Sequence, residues 1–179
     1  ASVTCMTAAL NEKPCHVLFL CTGNSARSIL AQALIDHWGR GRFVGDSAGS
    51  RPTGTVNPVA IELLRNLGIP TIGLRSKSWE EYGRAGPPRH DFLFTVCDAA
   101  AGEPCPIWPG QPITAHWGVP DPAIVTGSDA DRWLAFRSAF RVLESRIKAF
   151  TSLPVASLDR MRLQSEVDTI GRLQPDAQP

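Results

Sequence analysis

The run His16-Val17-Leu18-Phe19-Leu20-Cys21-Thr22-Gly23-Asn24-Ser25-Ala26-Arg27-Ser28 constrains this chain more than any other stretch. Val17 to Leu20 have no polar interruption, the pattern of a central strand buried on both faces. From Arg27 the period changes: Ile29, Leu30, Ala33, Leu34 and Trp38 share one helical face, and Gly39 is the expected stop. A loop passing from strand to helix N-terminus turns backbone N–H groups into one concavity, and the helix dipole behind it favours an oxyanion. Thr22, Gly23, Asn24, Ser25, Ala26, Arg27 and Ser28 are therefore the expected oxyanion-binding residues. Gly23 is expected to let the backbone come close, and Arg27 to offer a planar two-pronged fork. Cys21 sits in the same positive field, which predicts a thiol shifted towards thiolate and poised as a nucleophile. A buried strand-end Cys is ordinarily just a small apolar residue. The Cys-x5-Arg-Ser spacing between strand and helix argues against that reading here.

The rest of the chain predicts a single α/β domain. Phe43-Val44 lead into Gly45-Asp46-Ser47-Ala48-Gly49 as a second strand, and Asn57 caps a helix with Pro58 at its first position. Ser76–Tyr82 reads as a short helix, Asp91–Val96 as a third strand ending at Cys97, and Ile113–Trp117 as a fourth. Asp129–Phe150 is a strong helix, and Ala156–Leu173 carries a further pattern through Leu158, Met161, Val167, Ile170 and Leu173. Alternating strands and helices imply a four-stranded parallel sheet flanked by helices, with an added C-terminal helix. The organisation expected is a loose leader over residues 1–14, one domain over 15–150 and a helical extension over 151–179.

The function classes that composition excludes are few but useful. A formal net charge of +1 gives no general attraction to nucleic acid or an acidic membrane. No run of about eighteen apolar residues exists to span a bilayer, and no secretory signal is visible. The five Cys are 5, 15, 21, 97 and 105, an odd count with irregular spacing. That argues against a secreted disulfide framework and for a cytoplasmic protein with reactive thiols. The four scattered His suggest no metal site. Cys15 reads as a structural thiol, and Cys5 has no assigned role.

Leu20 to Ser28 resembles the anion loop of the low-molecular-weight protein tyrosine phosphatases, and is most similar to the branch that became arsenate reductases. The resemblance continues in Ser47-Ala48-Gly49, Asn57-Pro58-Val59-Ala60 and His116-Trp117-Gly118-Val119-Pro120-Asp121-Pro122-Ala123, and covers roughly Pro14 to Phe150. It implies a low-molecular-weight phosphatase-like fold, arsenate, phosphate or sulfate in the loop, and Cys21 and Arg27 as catalytic residues. Asp121, a carboxyl on a loop beside the cradle, becomes the general acid. By position the resemblance also implies a thiol relay through Cys97 and Cys105, reset by thioredoxin or by glutaredoxin with glutathione, without a tightly bound cofactor. Gln32 stands where potassium-binding relatives tend to carry an acid, so a potassium site is not expected. The runner-up is a tyrosine phosphatase working through a phosphocysteine. Ala123 opposes it, standing where phosphotyrosine-directed relatives usually carry an aromatic residue. A third reading is a catalytically silent oxyanion-binding domain. Either a monomer or a homodimer is compatible with the chain.

Overall fold

The computed structural model describes residues 13–83, 89–103 and 108–175. Four parallel strands form one sheet: β1 (Cys15–Cys21), β2 (Phe43–Gly49), β3 (Phe92–Thr95) and β4 (Ile113–His116), in spatial order β2-β1-β3-β4. The organising stretch thus supplies a central strand. Its register pairs Leu20 with Ala48 on one side and with Thr95 on the other. The expected α/β architecture with a C-terminal helix is present.

Strand alternation divides the core in two. Val17, Phe19 and Cys21 face the larger cluster, with α1 (Arg27–Gly39) and α5 (Asp129–Thr151) packed over them. Leu18, Leu20, Ala48 and Leu93 face a smaller cluster covered by Trp79, Tyr82 and Trp108. α1 is buried on nearly every side of its first half, from Ser28 through Ile35, rather than along one stripe. It is stopped by Arg40 in the left-handed region, one residue beyond the expected Gly39. α2 (Pro58–Asn66) starts on the expected Asn57 cap, whose side chain accepts from Val59 N. α5 starts on a reciprocal capping box between Ser128 and Asp131.

Two segments differ from the sequence reading. The helix expected over Ser76–Tyr82 is reduced to α3 (Glu80–Gly83), because Ser78 is bridged to Gly49 and Lys77 N donates to Asn24 Oδ1. Those long-range bonds hold residues 77 and 78 extended. The pattern expected over Ala156–Leu173 is a 3-10 turn (Val155–Ser157) followed by α6 (Arg160–Ile170), begun by the Asp159 cap. Its buried face is Leu163, Val167 and Ile170, while Met161 is 83% exposed. Between β3 and β4 lies the short α4 (Asp98–Gly102), capped by Cys97 itself. Cys5 and Cys105 lie outside the described residues. Among those described, no helix is long and apolar enough to cross a membrane.

β4 is an edge strand, and α6 lies along it. Gln164 Nε2 donates to Thr114 O at 2.8 Å, and Trp117 Nε1 to Val167 O at 2.9 Å. A helix so placed covers an edge that would otherwise offer unpaired backbone groups. Trp117 is fully buried, stacked on Phe94 with ring centroids 3.9 Å apart. The loop that follows β4 is therefore anchored at its first residue.

Candidate active site

β1 delivers Cys21 to the carboxyl end of the sheet, and residues 22–26 turn over its sulfur before α1 begins. The direction of that loop is set from outside. Thr22 O, Gly23 O and Ser25 O accept from the amides of Arg51, Thr53 and Asn57 at 2.9, 3.0 and 2.8 Å. A trans peptide points its C=O and N–H in opposite directions. With these carbonyls turned outward, the next amides in the chain face the inside of the loop. Asn24 N shows that direction, donating to Cys21 Sγ at 3.2 Å. Ala26, the α1 N-cap, gives no side-chain bond, so the first amides of α1 are left for another acceptor.

Asn24 bends the loop beside Gly23. It is the left-handed residue of the loop, at φ +45°, a conformation asparagine tolerates better than most. A Cβ added at Gly23 would meet only ordinary contacts with Thr53 and Ser25. Asn24 is fully buried. Its Oδ1 accepts from Lys77 N, and its Nδ2 donates to Ser28 Oγ, both at 2.8 Å. Ser28 Oγ lies 2.9 Å from Cys21 Sγ. Asn24 already donates to that hydroxyl, and the hydroxyl proton is free to point at sulfur.

The ionisation expected of Cys21 is corrected. The residue is only 3% exposed, and burial pushes the thiol up. The hydrogen bonds from Ser28 and Asn24 pull it down, and neighbouring Cys97 adds to the rise, so the net direction is upward. Arg27 does not oppose this, because its guanidinium is turned to the far wall. Nη1 donates to Val119 O at 3.0 Å, and Nη2 pairs with Asp121 Oδ2 at 3.3 Å. Asp121 Oδ1 meanwhile accepts from Ala123 N at 3.0 Å, capping the turn Pro122–Ile124.

Arg27, Cys97 and Asp121 open onto one cavity of about 410 Å3, bounded also by Asp98 and residues 118–120. Since β1 and β3 are neighbours, Cys21 and Cys97 follow adjacent parallel strands at the same end of the sheet. Thr22 lies between them, its Oγ1 3.7 Å from Cys97 Sγ and donating to Glu103 Oε1 at 3.4 Å. Cys97 Sγ also accepts from Ala100 N at 3.4 Å. The Cys97 segment is tied to β4 through His116, whose Nε2 meets Asp98 Oδ1 and whose Nδ1 meets Thr95 Oγ1, both at 2.7 Å. Gly118 leaves room for that pair, since a Cβ there would lie 2.6 Å from His116 Nε2. His116 was visible in the sequence only as part of a motif, and nothing in its spacing pointed to Asp98. Gln32 accepts from Ser47 Oγ at 2.7 Å. Among the described residues no group of three or more His, Cys, Asp or Glu could hold a metal.

A buried sulfur held by one directed hydroxyl predicts a specific pH response. A hydrogen bond to a charged group contributes about 1.5–3 kcal/mol, and 1.36 kcal/mol corresponds to one pH unit. Ser28→Ala removes a bond that lowers the Cys21 pKa. The pH profile of Cys21 alkylation by iodoacetamide, followed by mass spectrometry, then moves to higher pH by about one to two units. An unmoved profile would show that Ser28 does not donate to the sulfur.

This strand, loop and helix define an enzyme class. The chain belongs to the low molecular weight phosphotyrosine protein phosphatase family, whose model matches residues 16–164. Within that class its sequence is similar to arsenate reductases. That of Halalkalibacterium halodurans is 34% identical over 139 residues, covering 75% of this chain and 93% of the relative. The crystal structure of arsenate reductase from Archaeoglobus fulgidus shares the fold at a TM-score of 0.61 and 23% identity, covering 76% of this chain and 99% of the other. The tyrosine phosphatase Wzb from Escherichia coli K30, solved with sulphate, shares it at 0.60 and 22%, covering 76% and 95%.

Proposed function

We propose that this chain reduces arsenate to arsenite, with Cys21 as nucleophile, Cys97 and Cys105 as an internal relay, and thioredoxin or glutaredoxin as the external reductant. The observation that carries the reading is the juxtaposition of Cys21 and Cys97 at the ends of paired strands, with Thr22 between them and Arg27 and Asp121 across the cavity. A phosphatase alone needs one thiol there. The similarity to curated arsenate reductases supports the same choice.

Arsenate enters the loop amides, and the Arg27 fork turns from Val119 O and Asp121 to two of its oxygens. Because burial favours the protonated thiol, Cys21 gives its proton to the doubly charged oxyanion as it attacks. The S–As bond forms, one As–O bond breaks, and Asp121 supplies the proton with which that oxygen leaves as water. Cys97 attacks the Cys21 sulfur, and its proton passes to an oxygen of the departing arsenic. The S–As electron pair stays on arsenic, which leaves as arsenite, and Cys21–Cys97 becomes a disulfide. Cys105 attacks Cys97 and frees Cys21. The dithiol of thioredoxin, or glutathione through glutaredoxin, returns the two electrons.

The deciding assay is arsenate-dependent NADPH oxidation by the purified protein, coupled in parallel through a thioredoxin system and a glutaredoxin system. The expected result is oxidation through one of them at a rate that scales with enzyme. If neither couples while p-nitrophenyl phosphate is hydrolysed, the chain is a phosphatase and the relay is wrong. If neither substrate turns over, it is an oxyanion-binding domain.

A further inference from the structure

The most deeply buried charge among the described residues is Arg146, on the core side of α5. The residue is only 2% exposed, and among the described residues no carboxylate pairs with it. A buried guanidinium without a counter-ion is costly unless its N–H groups are satisfied. Carbonyls alone satisfy this one. Nη1 donates to Trp117 O at 2.9 Å and to Gly118 O at 3.1 Å, and Nε donates to Leu173 O at 3.1 Å. The first two acceptors begin the loop that carries Asp121. The third lies just past α6, beyond residue 164, where the family match ends.

The next carbonyl in the loop, Val119 O, accepts from Arg27. Residues 117–121 are thus strung between two guanidiniums: Arg146 grips carbonyls 117 and 118, and Arg27 grips carbonyl 119 and the Asp121 carboxylate. The two grips do not have the same lifetime. Arg27 is needed by the oxyanion and releases the loop when one binds, whereas Arg146 faces no cavity of the site and has no competing partner there.

We propose that Arg146 is the positioning residue that keeps Asp121 in place while Arg27 is engaged with the oxyanion, and that the far end of α6 completes its grip. The proposal rests on the reading of Asp121 as general acid. Trp117 Nε1 donating to Val167 O, and Gly171 packed so tightly that a Cβ would lie 2.7 Å from His116 O, bind the same end of α6 to the same loop. The C-terminal helix is then part of the acid's mounting rather than an appendage.

The test is a double-mutant cycle on the full chain with Arg146→Lys and Asp121→Asn. A lysine keeps the charge but cannot reach three carbonyls in a fixed plane. The rate read is the single-turnover loss of Cys21 thiol on mixing with arsenate, with Cys21 alkylation and its protection by phosphate as controls. Small misplacement of a catalytic group costs up to about 100-fold. Arg146→Lys is therefore expected to slow the arsenate step by about 10- to 100-fold, with alkylation and phosphate protection within about twofold of the parent. The double variant should be no slower than Asp121→Asn. Additive losses, an undiminished rate in Arg146→Lys, or an equal loss of alkylation would each overturn the proposal. An Asp121→Asn variant at the parent rate would instead remove the acid reading itself. Arg146→Lys would then have nothing to act through, and the proposal would fall with it. If Arg146→Lys does not fold, Trp117→Phe, which removes the bond to Val167 O together with part of the indole's packing on Phe94, is put through the same cycle under the same criteria.

Discussion

A Cys21→Ser variant should produce no arsenite from arsenate, a loss of roughly 10^4-fold or more, as for removal of a nucleophile that works as one unit with its partners. The chemistry gives two reasons. A serine hydroxyl does not ionise near neutral pH, so the first bond to arsenic forms slowly. More decisively, the reduction step needs a sulfur for Cys97 to attack, because the two electrons reach arsenic only as an S–S bond is made. The anion loop should survive the change. Its amides are oriented by the bonds from Arg51, Thr53 and Asn57, none of which involves the sulfur. A hydroxyl at position 21 can still meet Ser28 and Asn24, which now meet Cys21 at 2.9 and 3.2 Å. Arsenite release, measured by arsenic speciation, should fall to background, while calorimetry should find phosphate bound as in the parent. Arsenite formed at more than a few per cent of the parent rate would place the nucleophile elsewhere.

The parts of this fold that were legible in the sequence are those decided within a few residues. The apolar run ending at Cys21, the Asn57-Pro58 start and the long helix beginning at Asp129 each carry their own local physics, and each stands where the pattern put it. What was not legible depends on partners far along the chain. Residues 76–78 read as the first turn of a helix, yet Lys77 N is held by Asn24, 53 residues away, and the helix starts late. The α6 stripe read from the sequence runs through Met161 and passes over Leu163, yet Met161 is exposed and Leu163 buried. Only the position of β4 decides that Leu163 is buried. The site divides in the same way. Cys21, Arg27 and Ser28 were readable from spacing because loop and helix are contiguous. The pairing of Arg27 with Asp121 joins residues 94 positions apart, and the burial that raises the Cys21 thiol comes from the whole core. Sequence pattern registers the positive field of a helix start but not the desolvation that opposes it.

Replacing Cys97 with serine should separate the two thiol chemistries of the site. Serine is a favoured N-cap, and Cys97 now serves as one, accepting from Ala100 N at 3.4 Å. α4 should therefore keep its start, and the Asp98–His116 bond at 2.7 Å its geometry. Nothing Cys97 does is needed for Cys21 to attack an oxyanion. The adduct at Cys21 should still form, and hydrolysis of p-nitrophenyl phosphate should stay within about threefold of the parent, if the parent hydrolyses it. Arsenate reduction, in contrast, should fall by roughly 10^3-fold or more, since Cys97 is, among the described residues, the sulfur placed at the same end of the sheet as Cys21 to take it from arsenic. Thiol counting after one turnover without reductant gives the sharpest readout. The parent should lose two thiols and release one arsenite per chain, whereas Cys97→Ser should lose none after denaturation and release none. Arsenite release at the parent rate would mean that the attack on Cys21 comes from another thiol. A parallel collapse of phosphate ester hydrolysis would mean that Cys97 shapes the loop through Thr22, 3.7 Å from its sulfur, rather than carrying electrons.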